Sequence, residues 1–217
     1  MSTTFRPGEI VAILGLNGAG KTTLVRALSG TLSLEKGELH YGDTPFCRED
    51  LARRRQILFL PQQPFLDPAL SVLENAALYL DAYDRLNPTV EDKILTLVKT
   101  LGLGNKTDQP VCKLSRGQAY KTALAALLAI DPEYWIIDEP FASGIDAPAI
   151  NCFRKSALAA RQKKHSVLFT TQLPEHASGF ATRTLIIHQG KIAADLQDPS
   201  NGEMTAELDR LSQEENQ

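Results

Sequence analysis

Cysteine is scarce in this chain, and what there is lies dispersed: Cys47, Cys112 and Cys152. An odd, scattered set supplies neither a disulfide framework nor the paired spacing of a metal site. The four histidines are equally scattered, so no structural metal is expected. Such thiol usage fits a reducing cytosol. No basic start followed by a long apolar run opens the sequence, so no signal peptide is expected. The most apolar stretch, residues 123–130, falls far short of the ~20 residues that a bilayer requires. Positive charge is not in excess either. Lys and Arg total 23 against 26 Asp and Glu, a net charge of −3, which argues against a nucleic-acid partner. The densest basic cluster, Arg53 to Arg55, reads as a solvated helix face. Internal repeats and low-complexity tracts are lacking. Any service to a membrane must therefore go through a partner.

What is present alternates. Residues 9–14, "EIVAIL", form an apolar, β-branched run that predicts a buried parallel strand. A glycine-rich loop follows, then a helix closed by Gly30. Residues 37–45, "GELHYGDTP", predict a strand and hairpin, and "QILFLP" (56–61) predicts a strand ended by proline. Residues 71–83 have helical periodicity and an S-x-x-E capping box at Ser71 and Glu74. Residues 89–103 predict a second amphipathic helix. Helices are then predicted over 115–130 and 146–162, with strands over 134–138 and 166–171. Two more strands are expected around the Gln189–Gly190 turn. This order predicts an α/β fold, a parallel sheet flanked by helices. We divide the chain into a core (1–63 and 115–196), a helical subdomain inserted at 64–114 and a polar C-terminal tail (197–217), in which one frayed helix is expected.

Chemistry concentrates in three short stretches. The first is "GLNGAGKT", which fits G-x-x-x-x-G-K-[ST] between a predicted strand and a predicted helix. Glycines let backbone N–H groups turn around phosphate oxygens, and the helix N-terminus adds positive dipole. Lys21 supplies a point charge to the β and γ phosphates, and the Thr22 hydroxyl is a Mg²⁺ ligand. The second stretch, "YWIIDEP", sets two acids at the end of a buried strand, where sites form in open parallel sheets. Asp138 is expected to hold Mg²⁺, directly or through water. Glu139 is expected to act on an attacking water as general base or positioner. The third stretch, "LSRGQ", starts a helix. Ser115 suits an N-cap, and Gly117 bares the first turn to a ligand. An insertion separates this second anion surface from the first. Two chains facing head to tail, each offering "LSRGQ" to the other's nucleotide, resolve the separation most simply.

Together these motifs resemble those of the ATP-binding subunits of ABC transporters, over residues 8 to about 196. "GLNGAGKTT" is similar to the family's Walker A, so the resemblance implies that Gly15, Asn17, Gly18, Ala19, Gly20, Lys21, Thr22 and Thr23 bind ATP. "LSRGQ" resembles the signature LSGGQ and implies roles for Ser115, Gly117 and Gln118. "IIDEP" resembles Walker B with the catalytic glutamate, and "SGID" (143–146) the D-loop, which brings in Asp146. "FLPQQ" resembles the Q-loop, making Gln62 a metal and water ligand, with Gln63 as the alternative register. The segment after it is similar to that of drug-, polysaccharide- and haem-export ATPases.

By that resemblance the fold is a P-loop NTPase core with a truncated front β-subdomain. The cofactors are ATP and Mg²⁺. The partners are an integral membrane transport subunit, docking by a coupling helix on the helical insertion, and a second copy or a similar ABC ATPase. The chain would lie in the cytoplasm, peripheral to the inner face of the cell membrane.

Two departures stand out. Few residues precede Lys21, and Phe5 is not expected to replace the family's adenine-stacking aromatic. Gln172 stands where the family has a switch histidine, and glutamine carries neither charge nor transferable proton. Slow turnover, or a partner with an intact switch, is expected. His176, beyond Pro174, is expected to be a surface histidine. Two rivals stay open: a soluble ABC-type ATPase, and a nucleotide-dependent regulatory or assembly switch with low turnover.

Overall fold

The computed structural model describes residues 1–141 and 144–215. Its centre is β1 (Ile10–Leu14), whose five residues are all fully buried. Such burial on both faces requires layers above and below. Ile10, Ala12 and Leu14 enter one apolar cluster, and Val11 and Ile13 enter another, as the two-residue period of a strand dictates.

Around β1 lie β4 (Ile57–Leu60), β5 (Tyr134–Ile137), β6 (Ser166–Thr171), β7 (Arg183–His188) and β8 (Lys191–Gln197), in the order β4-β5-β6-β1-β7-β8. Every pairing is parallel except β7 with β8, which closes the sheet as an antiparallel hairpin. The parallel strands therefore present their carboxyl ends along one edge. The two-residue strands β2 (His40–Tyr41) and β3 (Thr44–Pro45) form a separate hairpin, where the sequence predicts a strand and hairpin. Phe5 packs on the second apolar cluster, with the Arg183 guanidinium 5.9 Å from its ring centre. Arg183 opens β7, at the amino ends of the strands, so Phe5 is committed away from the glycine-rich loop.

Helix α1 (Lys21–Leu28) covers one face, and the short α2 (Leu51–Arg54) carries Arg53 and Arg54 of the basic cluster at the surface. On the other face lie α3 (Val72–Ala82), α4 (Pro88–Thr100), α5 (Arg116–Ile130) and α6 (Ala147–Gln162). The Ser71–Glu74 capping box on α3 is present in both directions. Helix α4 starts one residue earlier than the periodicity predicts, because Asn87 caps it and Pro88 fills its first turn. It also ends earlier, before Gly102 at φ 75°.

The helix expected in the polar C-terminal tail is present, but it is docked on the core rather than frayed. Helix α8 (Asn201–Glu215) buries Met204, Leu208 and Leu211 in the main cluster and packs against β7 and α7 (Pro174–Ala177). Ser200 and Glu203 cap its start reciprocally. Asn216 and Gln217 lie outside the described residues.

Candidate nucleotide site

Four parallel strands deliver the site. β1 runs into the glycine-rich loop, β5 ends at Asp138 and Glu139, β6 ends beside Gln172, and β4 precedes Gln62. The loop is shaped by close approach. A Cβ on Gly15 would lie 2.4 Å from the Ile187 carbonyl oxygen of β7. Gly18 and Gly20 sit at φ 79° and 104°, where a side chain is strained. The turn between β7 and β8 braces the loop from outside, with the Gly190 N–H donating to Ala19 O at 2.9 Å. Asn17, Gly18 and Thr23 are exposed, and Ala19 is buried. No side chain caps α1, so its first-turn N–H groups remain the donors that a phosphate requires.

Lys21 is only 6% exposed. Its Nζ donates to Gly15 O at 2.9 Å and to Leu16 O at 3.1 Å, and stands 3.7 Å from Glu139 Oε1. Burial pulls the Lys21 amine below its ordinary pKa, against the opposing effect of Glu139 and Asp138. Phosphate oxygens at the loop would compete for this amine with two carbonyls and a carboxylate.

The acids are held from two sides. Asp138 Oδ1 accepts the Thr22 hydroxyl at 3.2 Å and the Thr170 hydroxyl at 2.7 Å. Glu139 adopts φ 50°, a left-handed conformation that costs a non-glycine residue ~1–2 kcal/mol. Its N–H donates to Thr170 Oγ1 at 2.8 Å, and its Oε1 accepts from Gln172 Nε2 at 3.3 Å. Burial raises the Glu139 pKa, while Lys21 and Gln172 oppose that rise. A carboxylate whose proton affinity is raised by burial suits proton acceptance from water. The Thr22 hydroxyl and Asp138 carboxylate are hard oxygen donors side by side. That donor set fits Mg²⁺ arriving with substrate phosphates. Held by the Thr22 hydroxyl and the Asp138 carboxylate, such an ion would supply positive charge against the phosphates.

Other expected residues are placed elsewhere. Gln62 and Gln63 lie exposed just beyond β4, one strand over from Asp138, whose N–H donates to Leu60 O at 2.8 Å. Ser115 is exposed at the cap of α5, and Gly117 is buried in its first turn. The Gln118 side chain accepts the Ser115 N–H at 3.1 Å, completing a capping box that S-x-x-Q announces in sequence. Among the described residues, no hydrogen bond or ion pair links this signature turn to the glycine-rich loop of the same chain. Both oxygens of Asp146 are engaged within the protomer. Oδ1 caps α6 through the Ala149 N–H, and Oδ2 pairs with Lys121 at 2.6 Å. Ser143 of the D-loop stretch lies outside the described residues.

His176 is not the surface residue expected. It is half-buried, its Nδ1 shares a 3.0 Å hydrogen bond with the Thr171 hydroxyl, and its ring packs 4.4 Å from Phe141. Burial lowers its pKa. Pro174 explains the placement, since it starts α7 and turns the chain back over β6. Sequence reasoning missed Thr170, Lys121 and Tyr120. The last is fully buried on α5, and its hydroxyl has no hydrogen-bond partner among the described residues.

A glycine-rich loop leading from β1 into α1, a carboxylate at the end of β5, one strand removed from β1 across β6, and a sheet lined by helices define a P-loop ATPase. The family follows from comparison. The ABC transporter family profile matches residues 1–142, and the chain belongs to that family as an ATP-binding domain. It is 31% identical over 199 residues to the SkfA peptide export ATP-binding protein SkfE of Bacillus subtilis (strain 168), covering 92% of this chain and 82% of that one. It is 29% identical over 194 residues to the ABC-type transporter ATP-binding protein EcsA of the same organism, covering 89% and 78%. Identity to the cytochrome c biogenesis ATP-binding export protein CcmA of Yersinia pseudotuberculosis serotype I (strain IP32953) is 33% over 171 residues, covering 79% and 77%. A solved ATP-binding subunit of an ABC transporter superposes with a TM-score of 0.86 at 25% identity, over 95% of this chain and 90% of that one. The family binds and hydrolyses ATP. Among the described residues no helix is long and apolar enough to cross a membrane.

Proposed function

We propose that this chain binds and hydrolyses ATP–Mg²⁺ to power transport through a separate integral membrane subunit. It works as a dimer with a second copy or with a similar ABC ATPase. The observation that carries the reading is the meeting of Lys21, Thr22, Asp138 and Glu139 beyond the carboxyl ends of β1 and β5, the two strands that flank β6. Lys21 and the loop N–H groups grip the phosphates. Thr22, Asp138 and Gln62 hold the metal, and Glu139 polarises the water. Ser115 and Gly117, which have no nucleotide grip in their own protomer, act on the partner's γ-phosphate. Asp146 braces the start of α6 against α5 beside that interface. Closure on ATP and reopening after hydrolysis drive the membrane subunit. Export is the direction favoured by the names of SkfE and CcmA. Phe65, 74% exposed, and Leu78 support the 64–114 subdomain as the face that receives the membrane subunit.

Gln172 supports slow turnover, because it can hold Glu139 by a hydrogen bond but cannot carry charge or relay a proton. The test is to isolate the membrane subunit with the tagged full-length chain and assay the complex. Turnover lost in Lys21→Ala, and transport lost in Glu139→Gln with ATP binding intact, would support the reading. Full nucleotide binding with no hydrolysis in that complex would replace it with a nucleotide-dependent switch.

A further inference from the structure

We propose that Thr170 is the positioning residue of this site, with one hydroxyl setting both acids at the end of β5. The inference rests on the hydrolytic reading above and adds to it a residue outside its motifs.

Three observations carry it. First, Thr170 is fully buried in the centre of the sheet, opposite Ile13 of β1. At such a position valine or isoleucine packs equally well, so a hydroxyl requires partners. Second, both of its hydrogen-bonding roles are used on the acids. It accepts the Glu139 N–H at 2.8 Å and donates to Asp138 Oδ1 at 2.7 Å. Third, the β5 ladder ends at Ile137, and Glu139 turns left-handed at φ 50°. That turn takes the Glu139 N–H off the parallel ladder, and Thr170 gives it an acceptor. The strain at Glu139 is thereby held by a side chain of the neighbouring strand.

The consequence for chemistry is specific. Asp138 Oδ1 is engaged by two hydroxyls, those of Thr22 and Thr170, which fixes the rotation of the carboxylate. Holding the Glu139 backbone aims its side chain toward Lys21 and Gln172. Gln172 lies two residues beyond Thr170, so the end of β6 holds Glu139 by its backbone and by its carboxylate.

The test compares Thr170→Val, which keeps the shape and removes the hydroxyl, with Thr170→Ser, which keeps the hydroxyl. Each full-length variant is assayed for MgATP turnover, for affinity toward a fluorescent ATP analogue, for Mn²⁺ affinity in the presence of ATP, and for melting temperature. We expect Thr170→Val to lower kcat by ~10–100-fold, the range for losing an outer partner of a metal ligand or misplacing a reacting group. Mn²⁺ affinity should fall several-fold while analogue affinity stays within about threefold, because the loop and Lys21 are untouched. Thr170→Ser should recover most of both losses. Wild-type kcat and Mn²⁺ affinity in Thr170→Val would overturn the proposal. So would parallel losses of analogue affinity and melting temperature that serine does not rescue. Wild-type protein that binds MgATP without hydrolysing it would refute the hydrolytic reading instead. The Mn²⁺ affinities of the two variants would then still decide for or against Thr170.

Discussion

Replacing Gly15 by alanine puts the architecture of the loop to a quantitative test. The added Cβ would stand 2.4 Å from the Ile187 carbonyl oxygen. Ordinary carbon–oxygen contacts of this kind lie near ~3.3–3.6 Å, so roughly 1 Å of separation must be found between two backbones. Neither can yield alone. Ile187 belongs to β7, and the turn that follows β7 is tied to the loop by the Gly190–Ala19 hydrogen bond. Overpacking of this kind costs ~1–3 kcal/mol, or about 2–12 °C in the melting temperature of a chain this size. A 1 Å displacement of the phosphate cradle should also cost ~10²-fold in turnover. Gly18→Ala is the internal control. Gly18 has φ 79°, but a Cβ added there would meet nothing within 4 Å, so alanine incurs only the left-handed strain of ~1–2 kcal/mol. Thermal melts and analogue titrations on both variants check the reasoning. A Gly15→Ala protein that melts, binds and turns over like Gly18→Ala would refute it.

Three further outcomes are expected. The raised Glu139 pKa favours its protonated form in the folded protein. The stability it contributes is full below the unfolded value of about 4.3 and is lost as pH rises through the folded value. Glu139→Gln should therefore gain melting temperature relative to wild type as pH rises through that window, and a constant difference would contradict the shift. Arg183 is buried and bonded to both oxygens of Asp195, to Thr4 O and to Glu9. Arg183→Met should cost ~1–3 kcal/mol, below the figure for a fully buried pair because Asp195 is partly exposed; an unchanged denaturant midpoint would contradict this. Gln172→His should raise ATPase turnover, by up to ~10²-fold if general acid–base chemistry is what glutamine lacks, and an unchanged rate would remove Gln172 from the catalytic account.

The parts of this molecule that are legible in sequence are those that local rules govern. The glycine-rich loop needs its glycines at fixed spacing, Ser71 and Glu74 announce a helix start, and an apolar run ending in two acids marks a strand end. The parts that stay hidden depend on what comes near in space. Thr170 reads as an ordinary β-former until β5 is laid beside β6. Met204, Leu208 and Leu211 sit among so many polar residues that their shared face shows only once β7 covers it. His176 reads as a surface residue if Pro174 redirects the chain outward, whereas that proline starts a helix that folds the ring onto Phe141. The signature motif assigns Gln118 to the nucleotide. Its side chain is occupied in capping α5, which sequence could have revealed, since Ser115 and Gln118 stand three apart.

The head-to-tail arrangement, in which Lys21 of one protomer and Ser115 of another meet on one triphosphate, is tested most directly by the mass of the ATP-loaded Glu139→Gln protein. Size-exclusion chromatography with light scattering, at saturating MgATP, should give twice the 23.8 kDa mass of the chain, and adding Lys21→Ala to the same chain should return it to the single mass. A Glu139→Gln protein that binds MgATP and remains monomeric would contradict the account.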